Sequence, residues 1–458
     1  LLAAVEAQES LRFGLTDADK LELLETQTSN YRVLQLALIA QNQMNAALVT
    51  SERGRNRAFI EQLAQRLEPQ SAEALVTQNI PSLEQLKAIA TTQKTTLVEY
   101  SLVSDRQLET PDGQLYIWVV KPTGEIQFHQ TDLSTLNIPL KDLVVNARES
   151  IGVRGIVEPQ LRDPEQVRVE QTQRLQQLHK LLIEPIAQHL PTDPDQSVVF
   201  IPQGALFSIP FAALQDAEGR SLIESHTILT SPSIQLLEKT QQQQDRVQQL
   251  NLSDRLIVGN PTMPRVATEG NPPEQLSPLP GSGQEAETIA RLFNTQALTG
   301  NQATKNAVMQ RMSNARIIHL ATHSLFDDRN GLDSAIALAP NGTGEFNDGL
   351  LTAAEIVQMK LNAELVVLSA CDTAQGRVTG DGVIGLSRSL ILAGTPSVLV
   401  SLWAVPDAPT AELMKEFYQQ WQQTGNKAQA LRQAMLTIKA QYPDPRNWAG
   451  FMLMGEAE

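Results

Sequence analysis

Stretches whose apolar positions recur every three or four residues alternate along this chain with short runs that are apolar throughout or at every second position. Residues 16–68 have the helical spacing: Thr16-Asp17-Ala18-Asp19 offers N-cap oxygens, and Leu21, Leu24, Tyr31, Leu34 and Leu38 follow. A second helix is predicted over about 56–67, with Ala58, Phe59, Leu63 and Leu67 on one side and Pro69 ending it. Ala47 to Arg55 reads as the joint. One helical pair hides little apolar surface alone, so it must dock on something or end a longer array. A short helix at 81–90 precedes alternating segments at 95–100, 115–120 and 125–128, which predict an antiparallel meander. Residues 164–190 return to helical spacing, 198–201 read as a strand, and the Gln-rich stretch 241–250 reads as a solvated helix end or loop.

From residue 255 the rhythm becomes strand, helix, strand. Strands are predicted at 255–259, 316–323, 365–373 and 397–403, with a hairpin around Asn341-Gly342. Helices are predicted at 285–293, 352–360, 382–393 and 409–441, and the Pro-, Gly- and Ser-rich stretch 260–283 reads as a long surface loop. This alternation predicts an α/β fold built on a mostly parallel sheet flanked by helices, with a small α-helical segment before it.

The chain's 458 residues suffice for two or three domains with real cores, and 41% hydrophobic with 19% charged residues is the balance of a soluble globular protein. No apolar run reaches membrane-spanning length and no signal pattern opens the chain, so no membrane association is expected. The chain begins without Met, as a fragment or processed product would. A single cysteine cannot form an internal disulfide, which points to a reducing, cytoplasmic setting. A net charge of −15 opposes nucleic-acid binding; it would suit basic partners, though plain solubility explains it as well. Phosphate-loop, nucleophile-elbow and zinc motifs are absent, so neither a metal nor a cofactor is expected.

The run Leu365-Val366-Val367-Leu368-Ser369-Ala370-Cys371-Asp372-Thr373 is apolar on both faces, as a buried parallel strand is, and it delivers the only cysteine to its carboxyl end. Open α/β sheets place their chemistry at that edge. His323 ends another predicted strand, so parallel neighbours would bring imidazole and thiol to the same edge. An imidazole that takes the thiol proton makes a thiolate nucleophile, and the amides of Ser324 and Cys371 would face the resulting oxyanion. By the local pattern alone, Cys371 reads first as a small buried residue, because free cysteine is among the most buried residue types. His319 reads as a core histidine and Pro280-Gly281-Ser282-Gly283 as a plain loop. Asp372 reads as a solvated loop charge and Asp407 as a residue beyond a third strand end.

Several motifs together change that balance. His319-Leu320-Ala321-Thr322-His323, Asp348-Gly349-Leu350-Leu351-Thr352, Leu368 to Thr373, Ala393-Gly394-Thr395-Pro396-Ser397, Ser401 to Asp407 and Trp448-Ala449-Gly450-Phe451 resemble, in order over about residues 195–458, the motifs of the CHAT family. Glu52-Arg53-Gly54-Arg55 resembles the end of the tetratricopeptide (TPR) helices that commonly precede it. The family comprises caspase-like cysteine peptidases of clan CD, distantly similar to separase. The resemblance implies a caspase-like fold in which 1–80 is a TPR-like helical segment, 81–250 the meander and pseudo-caspase-like half, and 251–458 the catalytic half. It implies His323 as general base and Cys371 as nucleophile of a cysteine endopeptidase (EC 3.4.22 class) acting on a protein substrate, with Ser324 where many relatives have Gly. Asp407 occupies the place of the aspartate that reads a P1 Arg in separase, and Asp372 and Trp403 stand as secondary site candidates. A regulated site would add an activating protein acting through the helical segment. The other reading of the same chain is a CHAT scaffold with a silent site.

Overall fold

The computed structural model describes residues 30–55, 63, 81–103, 113–152, 163–267, 273–325, 331–369, 377–379, 382–403 and 405–458. Two compact units divide the chain, one formed by residues 1–239 with 378–383, the other by 240–377 with 384–458.

In the first unit, helices α1 (residues 30–40) and α2 (Met44–Arg53) form an antiparallel-type pair joined at residues 41–43, with Asn42 at φ 60°. The expected joint, Ala47 to Arg55, is therefore mostly helix; the break falls where Gln-Asn-Gln offers a left-handed turn in place of apolar contacts. The predicted helix over 56–67 lies outside the described residues apart from Leu63. Helix α3 (Leu83–Thr92) starts from a capping box between Ser82 and Gln85. Strands β1 (Thr96–Val103), β2 (Gln114–Val120) and β3 (Ile126–Asp132) form the antiparallel meander, and β1 also pairs in parallel with β4 (Ser197–Ile201), which pairs with β5 (Thr227–Thr230). Helices α4 (Leu140–Ser150) and α5 (Pro164–Leu182) pack together beside this sheet.

The helical pair is docked on that sheet by polar groups that are themselves buried. Ser101 Oγ donates to Gln35 Oε1 at 2.8 Å, and the Trp118 indole donates to the Met44 carbonyl at 3.0 Å. Glu52 accepts the amides of Ile234 and Gln235 at 3.0 and 3.1 Å, where helix α6 (Ile234–Gln248) begins. Arg55 lies 3.1 Å from Glu99 and donates to the carbonyls of Pro202 and Tyr100. The Glu52-Arg53-Gly54-Arg55 motif is thus a set of anchors between helix and sheet.

The Gln-rich stretch is likewise less solvated than its composition suggests. It lies on α6, where Gln243 and Gln244 are buried and Gln243 Nε2 donates to the Ile391 carbonyl at 2.9 Å.

In the second unit the strand order is β14-β13-β12-β8-β6-β7. Strands β6 (Asp254–Pro261), β7 (Leu298–Gly300), β8 (Ala315–Ala321), β12 (Leu365–Leu368) and β13 (Ser397–Ser401) run parallel, and β14 (Phe451–Gly455) closes the edge antiparallel to β13. All four residues of β12 are buried, the pattern of a central parallel strand covered on both faces. A small antiparallel sheet of β9 (Ser324–Leu325), β10 (Ala335–Ala337) and β11 (Leu350–Thr352) sits after β8. Helices α7 (Pro280–Leu292), α8 (Lys305–Met312), α9 (Ala353–Gln358), α10 (Leu386–Leu392), α11 (Asp407–Thr424) and α12 (Lys427–Gln441) complete the unit, with α7 and α11 packed on each other. Gly425 in the left-handed region separates α11 from α12.

Pro280-Gly281-Ser282-Gly283 is the first turn of α7, not a loop. Proline suits the first helical position, and the glycine that weakens helix propensity is required by packing: a Cβ on Gly281 would lie 2.2 Å from the Asp407 carboxylate.

Lys427, at the start of α12, is fully buried. Its ammonium donates to the Glu458 carbonyl, lies 3.6 Å from Glu364 and sits 5.5 Å from the Trp421 ring centre. Burial pulls its pKa down to about 8, against the pull of Glu364 and Glu456. A lysine whose folded pKa lies below its unfolded value binds fewer protons when folded. Its burial therefore costs stability below about pH 8, and the cost fades as pH rises towards 10.5. The full effect is about 3 kcal/mol. Urea midpoints are expected to show that rising component between pH 8 and 10 in the wild type and to lack it in Lys427→Met; equal slopes would refute the assignment.

Candidate active site at the carboxyl edge of the second sheet

The carboxyl ends of the parallel strands open into a cleft. Thr322, Ser369 and Ser401 reach it from the ends of β8, β12 and β13, while Leu279, Ser282 and Glu285 reach it from the start of α7. Trp403, Val405 and Phe451 form an apolar wall, and Asp407 and Thr410 contribute the start of α11. The closing Trp448-Ala449-Gly450-Phe451 segment has a direct steric role in this wall. A Cβ on Gly450 would lie 2.4 Å from Val405 and 3.0 Å from the Trp403 indole, and the Gly450 carbonyl accepts the Leu402 amide at 2.6 Å.

His323 follows β8 by two residues and is partly exposed. Its Nε2 lies 2.8 Å from the Ser277 carbonyl oxygen. A carbonyl only accepts, so Nε2 carries the proton, and in the neutral ring Nδ1 is left as the free base. The anchoring carbonyl comes from the stretch that the sequence reading treats as surface loop. The His323 carbonyl in turn accepts the Ala337 amide at 2.9 Å. That bond makes the neighbouring cross-strand couple Ser324–Ile336 a non-hydrogen-bonded pair, so the Ser324 N–H points away from β10. Ser324 is not among the described non-glycine residues with positive φ, and its hydroxyl oxygen is buried without a hydrogen-bond partner.

Cys371 and Asp372 lie outside the described residues. The backbone leading to them is described as far as Ser369, whose amide donates to the Leu320 carbonyl at 3.0 Å. Asp407 is exposed at the first turn of α11 and lines the cleft. Trp403 is buried and donates its indole N–H to the Arg446 carbonyl at 3.0 Å, so it forms wall rather than a free polar contact.

His319 is fully buried on the sheet. Its Nδ1 lies 3.1 Å from the Tyr418 hydroxyl and its Nε2 lies 3.0 Å from Glu285 Oε1. Burial, reinforced by the Glu285 charge, raises the Tyr418 pKa well above the ordinary phenol value, so the tyrosine remains a donor. Sequence reading placed His319 in the core but missed Glu285. The available signal was a carboxylate on the apolar face of a helix, among Ser282, Ala286, Ile289 and Ala290, all of which are buried. Asp348, in the Asp-Gly-Leu-Leu-Thr motif, is a loop clamp. It accepts from the amides of Asn341, Gly342 and Thr343, and although burial opposes this, those bonds bring its pKa to about 2. Among the described residues no group of acidic, His or Cys side chains could hold a metal ion. Nor, among them, is any helix long and apolar enough to cross a membrane.

A mostly parallel sheet with flanking helices and a histidine just past a central strand's carboxyl end defines a caspase-like α/β protein. The CHAT-domain family model matches residues 172–456, more than half of the sequence, and the chain belongs to that family. Tetratricopeptide repeat protein 28 of Mus musculus is 25% identical and that of Homo sapiens 26% identical, each alignment covering 95% of this chain. The chain spans about 22% of the length of these relatives. The Saccharomyces cerevisiae separase, solved as a separase–securin complex, is similar in fold with a TM-score of 0.57 at 11% identity, covering 99% of this chain and 37% of that one.

Proposed function

We propose that the chain carries a cysteine endopeptidase site in which Cys371 is the nucleophile and His323 the general base and acid. The observation that carries this reading is the contact of His323 Nε2 with the Ser277 carbonyl: a carbonyl can only accept, so Nε2 carries the proton and Nδ1 is left as the base at the edge where Cys371 follows in sequence. Leu320 pairs with Leu368, and His323 and Cys371 each stand three residues further along their own segments. Nδ1 takes the thiol proton, and the thiolate adds to a peptide carbonyl. The tetrahedral oxyanion is met by the Ser324 N–H and by the amide of Cys371. Collapse expels the amine, which leaves with the proton from Nδ1, and water then hydrolyses the thioester to the acid and the free thiol.

The substrate is a protein, and Asp407 at the cleft mouth supports cleavage after a basic P1 residue. Residues 30–55, docked as the end of a TPR-like array, are the segment through which a protein partner would act; the separase of the similar structure is in complex with securin, a protein. A single cysteine supports a cytoplasmic setting. The scaffold reading predicts no turnover at all.

The test is cleavage of a peptide library varied at P1 by wild type and by Cys371→Ala. Loss of all cleavage in the variant is expected; equal turnover, or none by either chain, overturns the reading. Asp407→Asn is expected to lower kcat/KM for P1-Arg peptides about 10- to 100-fold, the value of a charge-assisted hydrogen bond, while P1-Leu cleavage stays unchanged. An unaltered preference would remove Asp407 from substrate recognition.

A further inference from the structure

We infer that Glu285 is the anionic floor of the cleft and binds the cationic head of a guanidinium or ammonium side chain, with His319 and Tyr418 holding it in place. The identity of the ligand as a P1 side chain rests on the peptidase reading; the binding of the cation does not. Glu285 is 3% exposed yet lines the cleft. One carboxylate oxygen is engaged by His319 Nε2, and the other has no hydrogen-bond partner among the described residues.

The tyrosine sets the order of the donors behind Glu285. Tyr418 O–H donates to His319 Nδ1, and His319 Nε2–H donates to Glu285 Oε1. The chain of donors ends on the carboxylate, so the Glu285 side chain that lines the cleft is held from behind as an acceptor. Burial of this kind is costly for a charge unless a counter-ion completes it, and the described cleft lining contains no Lys or Arg to do so.

The second carboxylate of the lining is Asp407, nearer solvent, and its seat depends on Gly281. Both acidic groups are therefore carried by, or packed on, the first two turns of α7. The apolar wall of Trp403, Val405 and Phe451 suits the methylene stem of an Arg or Lys side chain, whose head would then reach Glu285. The α7 N-terminus would favour an anion in the same space, but two carboxylates oppose it. Glu285 and Asp407 thus divide specificity by depth: Asp407 selects charge at the mouth, and Glu285 selects a side chain long enough to reach the floor.

The experiment uses agmatine, a guanidinium on a four-carbon stem, titrated into the wild-type chain at low salt without peptide, with inorganic phosphate as the anionic control. Agmatine is expected to bind, Glu285→Gln to weaken it about tenfold, and Tyr418→Phe to weaken it two- to threefold while leaving the melting transition cooperative. Unchanged affinity in Glu285→Gln, or binding of phosphate at the same place, overturns the inference. A crystal of the wild type soaked in agmatine answers without any substitution: a guanidinium bonded to Glu285 supports it, and one elsewhere or absent overturns it. Agmatine binding that depends on Glu285 in a chain that cleaves nothing would refute the peptidase and keep the cation site. Cleavage after Arg with kcat/KM unmoved in Glu285→Gln would do the reverse.

Discussion

Replacing His323 by alanine is expected to lower kcat/KM for peptide cleavage by about three orders of magnitude, mostly in kcat. The size follows from two losses that act together. General acid–base assistance is worth about 10²- to 10⁴-fold. An imidazolium beside the thiolate also lowers the thiol pKa from its free value of about 8.5, so its loss shrinks the reactive fraction at pH 7. KM is expected to change little, because the ring meets the thiol and the leaving amine rather than the bound peptide's ground state. Alkylation by iodoacetamide gives an independent measure that needs no substrate. In the wild type the rate at pH 7 should exceed that of an ordinary thiol, and in His323→Ala it should fall to the ordinary thiol rate. A cysteine whose alkylation profile is the same in both chains would mean that His323 does not activate it, whatever the cleavage assays show. The anchoring by Ser277 also separates position from identity. Shortening the chain before α7 would remove the carbonyl that fixes the Nε2 proton and should depress kcat while leaving the imidazole present.

What the sequence made legible was what hydrophobic pattern controls. Strand β12 is apolar on both faces and could be nothing but central, and the parallel β8–β12 pairing follows from the alternation of strands and helices. Segments whose conformation is set by distant neighbours were not legible. Pro280 to Gly283 has the composition of a loop, yet it is helical, and its Gly281 is there because a Cβ would meet the Asp407 carboxylate. The strand at 298–300 and the helix at 305–312 are too short and too mixed to announce themselves by periodicity. Gln243 and Gln244 look solvated by residue type but are buried within α6, where the Gln243 amide finds a backbone carbonyl. The candidate site divides in the same way. His323 was visible because it comes just after a strand, whereas Glu285 was hidden because its partners, His319 and Tyr418, come from two other elements.

The largest loss of stability is expected from Arg55→Met, and it should depend on pH in a direction that identifies its cause. Arg55 is 3% exposed and serves two carboxylates, Glu99 at 3.1 Å and Glu52 beside it, both fully or almost fully buried. Its Nε–H is directed at Ser51 Oγ, 3.3 Å away, so the contact with Glu99 is chiefly ionic. Burial holds the pKa of both carboxyls above the ordinary Glu value; repulsion from Glu99 adds to the rise at Glu52, and Arg55 pulls both down. Removing the guanidinium leaves two buried acids without their counter-charge, which costs about 3–5 kcal/mol. A carboxyl whose folded pKa is raised binds more protons folded than unfolded, so its cost appears as pH rises through the window above about 4.5. Without Arg55 that window widens upwards. The variant's deficit against wild type should therefore be greatest near pH 8 and shrink as pH falls towards 5, where protonation relieves the pair. Urea unfolding of both chains at pH 5, 6.5 and 8 measures this. A deficit that is the same at all three values would assign the loss to the hydrogen bonds with Pro202 and Tyr100 instead of to the charges. No deficit at any pH would mean that the Glu-Arg-Gly-Arg segment does not fasten the helical pair to the sheet.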